Sequence, residues 1–289
     1  MHNFLGVLFD GLAYGTLLFL ISVGLSITLG LMGFINLAHG VFAMAGGYLL
    51  VTLMGRAGIG FLTALPIVFC AVALVSLVLE RALYRPLYRS TALNQVLLTV
   101  GIIFISIAGA NYFWGPGQQP VVLPETLNGQ LSFFGIDLSR YRLFLMAIGA
   151  AITFALVFGL ERTRFGAMIR ASVDNRRTAE SMGIRVERVF QITFALGSGL
   201  AGLGGALGVN VIGLDPNFPL KFLVYFLLVV VVGGPGSVIG TLMAALLLGV
   251  ADIAGKYYMP EIGAFVIYAA MIVLLLLFPH GLLGRSKAR

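Results

Sequence analysis

Charged side chains are scarce in this chain: Asp, Glu, Lys and Arg make up 10% of its 289 residues, against 60% that are hydrophobic. A water-soluble domain carries about 25% charged residues. A solvated globule is therefore excluded, and an integral membrane protein is implied. Cysteine is nearly absent. The single Cys70 lies in an apolar run, which rules out an internal disulfide and a cysteine-based metal site. Histidine is equally thin, with His2, His39 and His280 far apart. No HExxH motif and no convincing Ser/His/Asp set is found, so neither a metal site nor an enzyme is expected. There is no GxxxxGK[ST] phosphate loop either, so this chain is not expected to hydrolyse ATP. Carboxylates are missing from mid-span positions, since Asp10 and Asp252 fall near the ends of apolar runs. Proton- and sodium-coupled carriers depend on such groups. Energy for uphill transport is then expected from another polypeptide, and no cofactor is expected here. The first residues show no basic region and no small-residue cleavage site, so no removable signal peptide is expected.

The apolar runs are continuous and do not alternate with period two, which argues against a β-barrel. At about 20 residues per crossing they leave room for about eight or nine helices. The expected fold is all-α: a polytopic transmembrane bundle, some of its helices discontinuous, with residues 1–289 forming one transmembrane domain. The net charge of +7 could suggest nucleic acid. The basic residues are instead confined to short loops, which is the mark of orientation during insertion. The expected surroundings are a lipid bilayer, and nucleic acid is not an expected partner.

From Gly11 to Gly55 there is no charged residue, an interval suited to two crossings. The break between them should fall in LMGFINLAHG, Leu31–Gly40, where Asn36 and His39 sit beside glycines. Polar groups in hydrocarbon must face protein or water. Glycine-rich breaks recur along translocation paths, while a plain polar contact between helices explains the same residues; both readings stand. A third span is expected over Phe61–Leu79, then a basic inner loop, Glu80–Arg89. A fourth span covers Ala92–Phe113. The segment Trp114–Arg142 holds Pro116, Pro120 and Pro124 and should lie outside, with a short strand or hairpin near Gln130–Phe134. A fifth span runs over Leu143–Leu160 and a sixth over Gln191–Ile212. Gly204 and Gly208, like Gly236 and Gly240, have the spacing of tight helix packing. A second break is expected at GGPGS, which contains Gly233, Gly234 and Gly236, between the runs Phe222–Val232 and Val238–Ala251. Asp252, Lys256 and Glu261 should mark an outer turn before the last span, Ile262–Phe278. Thirteen of the eighteen basic residues fall in the two basic loops and the tail, where Arg285, Lys287 and Arg289 keep the end inside. The N-terminus comes out on the outer side if Gly11–Gly55 crosses twice, and inside if it crosses once with a broken partner.

The longest polar interval is Glu161–Phe190, with seven arginines: 162, 164, 170, 176, 177, 185 and 188. A short amphipathic helix is expected within it. Asp174 or Asn175 would cap it, Ala179 and Met182 would form its apolar face, and Gly183 would stop it. Such a helix suits docking of a soluble partner; a loop that only sets topology carries the same charge.

Five motifs occur in one order: GLSITLGLMGFINLAHGVFAMAGGY, ERALYRPLYR, RASVDNRRTAESMGI, VVGGPGSVIGTLMAALLLG and FPHGLLG. Together they resemble the LivH-like permease subunit of branched-chain amino acid ABC importers, over nearly the whole chain. The resemblance implies a pore-forming subunit in the inner membrane for leucine, isoleucine and valine. It also implies a second, LivM-like permease, two cytoplasmic ATPases and an extracytoplasmic binding protein. Importers of urea, short amides and aromatic acids share the pattern, so these remain alternative ligands. A stand-alone channel or secondary carrier is a more distant alternative. On this resemblance Arg170–Ile184 is the coupling segment, including Asp174, Asn175, Arg176, Arg177, Ala179, Glu180 and Gly183. Asn36, His39 and Gly40 fall on the first-half break, and Gly233, Gly234 and Gly236 on the second, as candidates for the translocation path. The ending departs from the family's Arg-Pro-x-Gly-Leu-Phe-Gly at Phe278 and Leu283.

Overall fold

The computed structural model describes residues 2–34, 36–88, 90–133, 136–278 and 281–283. Its helices are α1 (His2–Met32), α2 (His39–Gly55), α3 (Phe61–Leu79), α4 (Ala92–Trp114), α5 (Arg140–Arg162), α6 (Arg164–Asp174), α7 (Arg176–Ser181), α8 (Val186–Ile212), α9 (Phe218–Gly233), α10 (Val238–Tyr258) and α11 (Gly263–Leu277). Among the described residues six are long and apolar enough to cross a membrane alone: α1, α3, α4, α5, α8 and α10. The apolar α2, α9 and α11 are shorter. The molecule is thus a multi-pass helical bundle, as its composition requires. A small antiparallel hairpin, β1 (Gln130–Phe133) with β2 (Ile136–Ser139), pairs Gln130 with Ser139 and stands where the outer strand was expected.

Contacts between helices set the directions. The start of α1 is tied to the start of α5 by an Asp10–Arg142 ion pair. Its other end meets the second glycine break, where the Gly236 N–H donates to the Ser26 carbonyl at 2.9 Å. His39, which opens α2, donates through Nε2 to the Ile21 carbonyl at 2.8 Å. That carbonyl lies about two-thirds of the way along α1, so the chain turns back into the bundle before α2 begins. α2 then climbs to the hairpin end, where the Trp114 indole N–H donates to Thr52 Oγ1 at 3.1 Å. Gly11–Gly55 therefore crosses twice, and the N-terminal end of α1 lies opposite the arginine-rich segment. By the positive-inside rule that places it on the outer side.

α1 is enclosed along most of its length by α8, α10, α9 and α5. Helices gain little from burying apolar surface against each other when lipid is the alternative, so close packing of small residues must hold them. Gly24 of α1 faces Gly197 of α8, and Gly30 faces Gly236. Gly46 of α2 meets the Gly202 backbone of α8. A Cβ at Gly205 would fall on the Ala43 carbonyl. The expected Gly204 contact is present, against Ile21, and Gly208 faces Leu17. By contrast α3, α4 and α5 turn large apolar side chains such as Leu74, Ile105 and Phe154 outward, as lipid-facing helices do.

Two placements in α9 and α10 differ from the sequence reading. Asp252 and Lys256 do not mark an outer turn; both lie within α10, and Asp252 is fully buried. The Lys256 ammonium, one turn on, binds Asp252 Oδ2 at 2.6 Å, which lets the helix carry the carboxylate inside. The outer turn falls at 259–262 instead. α9 also begins at Phe218, four residues before the expected run, with Pro219 tolerated in its first turn. Arg89, Pro279, His280 and the tail with Arg285, Lys287 and Arg289 lie outside the described residues.

The glycine seams give a direct expectation. Gly205→Val puts a branched side chain onto the Ala43 carbonyl, and overpacking of this kind costs about 1–3 kcal/mol. The thermal midpoint of the detergent-solubilised protein should drop, while Gly101→Val, where no described residue would lie within 4 Å of the added Cβ, should leave it unchanged.

Candidate functional site

The arginine segment folds as two helices, not one. α6 follows α5 almost directly, capped by Thr163, whose Oγ1 accepts from the Gly166 N–H at 3.1 Å. Asp174 ends α6. Asn175, in extended conformation, is the cap of α7: its Oδ1 accepts from the Thr178 N–H at 3.0 Å. Of the two caps the sequence allowed, Asn175 is the one used. Gly183 stops the segment as expected, at φ +84°, a left-handed conformation that side chains with a Cβ resist. The Ile184 N–H then closes back on the Ala179 carbonyl at 3.0 Å. Ala179 is buried as expected, but Met182 is not on the apolar face; it is 77% exposed. The reason is that α7 ends at Ser181, so Met182 already belongs to the turn. Ile184 takes the apolar role, beside Ala179, Ile169, Val186, Val189 and Phe190.

This small inner core fixes the segment on the foot of α8. Arg176 reinforces it, with its Nε donating to Glu180 at 2.9 Å and its guanidinium 5.5 Å from the Phe190 ring. Arg177, Thr178 and Ser181 stay exposed on the opposite face. Arg170 points elsewhere: it donates to the Leu160 carbonyl and lines a cavity of about 340 Å³. Pro235, Gly236 and Ser237 line the same cavity, so Arg170 and the second glycine break face one space.

The two breaks differ in depth. The second is a tight turn at the inner end, with Gly234 and Gly236 at positive φ and Gly233 packed on the Thr241 backbone. The Ser237 Oγ accepts from the Gly240 N–H at 3.0 Å and starts α10. The first break re-enters the bundle. Asn36 and His39 are both buried, and Gly40 lies against Pro219 and Phe226 of α9. Asn36 Oδ1 accepts from the Tyr84 hydroxyl at 3.4 Å, while its Nδ2 has no hydrogen-bond partner among the described residues. In this packing His39 is engaged in a helix-to-helix contact, and the Asn36 amide is half engaged.

Sequence reasoning passed over Glu80, Tyr84 and Tyr88. α3 does not end in a plain basic loop: it continues through a π-helical turn, Glu80–Tyr84, and a short 3-10 turn, Arg85–Leu87. Glu80 is 1% exposed and Tyr84 fully buried. The available signal was the repeat of Tyr84 and Tyr88 at helical spacing beside Glu80, an apolar face inside a basic run.

Against known proteins, residues 7–275 match the family described as branched-chain amino acid transport system / permease component. The chain belongs to that family. It is 28% identical over 300 residues to the high-affinity branched-chain amino acid transport system permease protein LivH of Escherichia coli K12, covering 98% of this chain and 96% of LivH. It is 27% identical over 304 residues to the corresponding permease protein BraD of Pseudomonas aeruginosa, covering 99% and 98%. The permease protein LivM of E. coli K12 is 25% identical over 291 residues, covering 93% of this chain and 68% of LivM. No solved structure matches.

Loss of the α7 cap should be measurable without any transport assay. Asn175→Ala removes about 1 kcal/mol, which is about a fivefold change in a local opening equilibrium. Amide exchange across 178–184 should rise by about that factor, with exchange in α8 unchanged.

Proposed function

We propose that this chain is the pore-forming permease subunit of an ATP-driven importer of branched-chain amino acids, acting as one transmembrane domain in the inner membrane. The observation that carries the reading is the family match over residues 7–275. The absence of a phosphate-loop motif from the sequence agrees with ATP hydrolysis on separate chains. The likeness to both LivH and LivM favours a second, related permease as partner. Two cytoplasmic ATPases and an extracytoplasmic binding protein complete the assembly.

In this reading α6 and α7 form the coupling segment. Its exposed face, with Arg177, Thr178 and Ser181, receives the ATPases, while Ala179 anchors it to α8. ATP binding draws the ATPases together and displaces the segment. The helices then change packing about the two glycine breaks, and the path opens first to the binding protein and then to the cell interior. Such a cycle needs only two packings whose balance ATP shifts. An apolar path with few polar groups holds a small amino acid briefly, so selectivity rests mainly with the binding protein.

Purification through a tag on this chain, followed by mass spectrometry, tests the assembly. Two phosphate-loop ATPases and a second permease should co-purify, and leucine uptake into proteoliposomes should require ATP. Transport by the chain alone without ATP would instead make it a channel or carrier. Reversing charge at Arg177 to Glu should leave membrane insertion intact and cut ATP-dependent uptake at least tenfold, by replacing attraction with repulsion at the docking face. Normal uptake in that variant would remove the segment from the mechanism.

A further inference from the structure

Between the arginine segment and the first glycine break lies the tip of α3, Glu80–Tyr88. It holds a carboxylate that a topology loop does not require. Glu80 is 1% exposed. One oxygen accepts from the Tyr88 hydroxyl at 2.7 Å; the other, Oε2, is buried without a hydrogen-bond partner among the described residues. A half-satisfied buried carboxylate opposes folding, and an apolar side chain would serve stability better. The backbone that presents it is π-helical, Glu80–Tyr84, an irregularity that concentrates at functional sites.

Tyr88 touches both candidate regions. Its ring is 6.3 Å from that of Phe190 and 5.7 Å from that of Phe34. Phe190 lies under the Arg176 guanidinium and packs in the small core that holds Ala179. Phe34 belongs to the break and rests 5.6 Å from the Tyr84 ring. The Tyr84 hydroxyl in turn holds Asn36. Arg85 pairs with Glu187 in the first turn of α8, so the tip is fastened to the same helix as the arginine segment. Contact is therefore continuous from Arg176 through Phe190, Tyr88, Phe34 and Tyr84 to Asn36.

We propose that Glu80 and Tyr88 are positioning residues that carry movement of the arginine segment into the Asn36–His39 break. The proposal rests on the importer reading above. The Glu80 carboxylate clamps the Tyr88 ring between Phe190 and Phe34, so displacement of Phe190 displaces Phe34. The unpartnered Glu80 oxygen is an acceptor and the unpartnered Asn36 nitrogen a donor. Each side of the relay thus keeps an open bond for the alternative packing, which is what a two-state element needs.

Continuity in space is not coupling, so the test measures coupling. The complex purified through this chain is placed in proteoliposomes, and leucine taken up per ATP hydrolysed is recorded. Tyr88→Phe removes only the hydroxyl and keeps both ring contacts. It should leave ATPase co-purification and ATP hydrolysis within twofold of wild type and lower uptake per ATP about tenfold, the scale of a hydrogen bond to a charged group. Glu80→Leu should give the same loss, and the double variant should lose no more than either single one. Glu80→Gln keeps an acceptor for Tyr88 and should retain at least half of the wild-type ratio. Because Glu80→Leu risks poor folding, Tyr88→Phe and Glu80→Gln decide the outcome alone if it does not assemble. An unchanged ratio in Tyr88→Phe, or losses that multiply in the double variant, overturns the relay while leaving the importer reading intact. If the wild-type chain brings down no ATPase, the importer reading falls and the relay falls with it.

Discussion

Helix backbones in this bundle approach one another through glycine, and most other features depend on that contact. Lipid offers apolar side chains as good a home as a neighbouring helix does, so association rests on dispersion and on the fit of surfaces. The seams at Gly24–Gly197, Gly30–Gly236 and Gly46–Gly202 bring α1, α8, α2 and the second break within backbone distance. α1 becomes the central post as a result. The depth at which His39 meets Ile21, and with it the depth of the first break, follows from where α1 stands. The inner turn at Gly236 is held by a hydrogen bond to the same helix. One post therefore positions both breaks.

The parts written in local chemistry were legible in the sequence. Charge-free runs mark the spans, the GGPGS turn separates α9 from α10, and the residue pattern near Gln130 anticipates the hairpin. Gly183 stops α7 because a left-handed residue is needed there, and that need is visible as a glycine after a polar run. What stayed hidden depended on neighbours distant in sequence. Asp252 looked like the edge of a span because a charge usually is one; its burial depends on Lys256 one turn away and on the helices around α10. Met182 had the spacing of an apolar face, but α7 ended one residue earlier. Glu80 stood in a basic run that read as solvated, and only the fold brings Tyr88, Phe34 and Phe190 around it. The family match speaks to the chain as a whole, and the roles of individual residues rest on this geometry.

Rigid seams and the unsatisfied polar atoms of the first break occupy different places, and that separation bears on movement. Two buried side-chain atoms without a hydrogen-bond partner among the described residues belong to the first break and its support: Asn36 Nδ2 itself, and Oε2 of Glu80, whose carboxylate holds the Tyr88 ring that packs on Phe34. Each such group costs about 1–3 kcal/mol relative to a paired one. A packing that pairs some of them gains back part of that cost. The glycine seams have no comparable reserve, since shifting them forfeits contacts on both sides with nothing to replace them. Displacement at the foot of α8 should therefore be absorbed at the break, where unpartnered donors and acceptors remain, and not at the glycine contacts themselves, which carry no side-chain donor or acceptor.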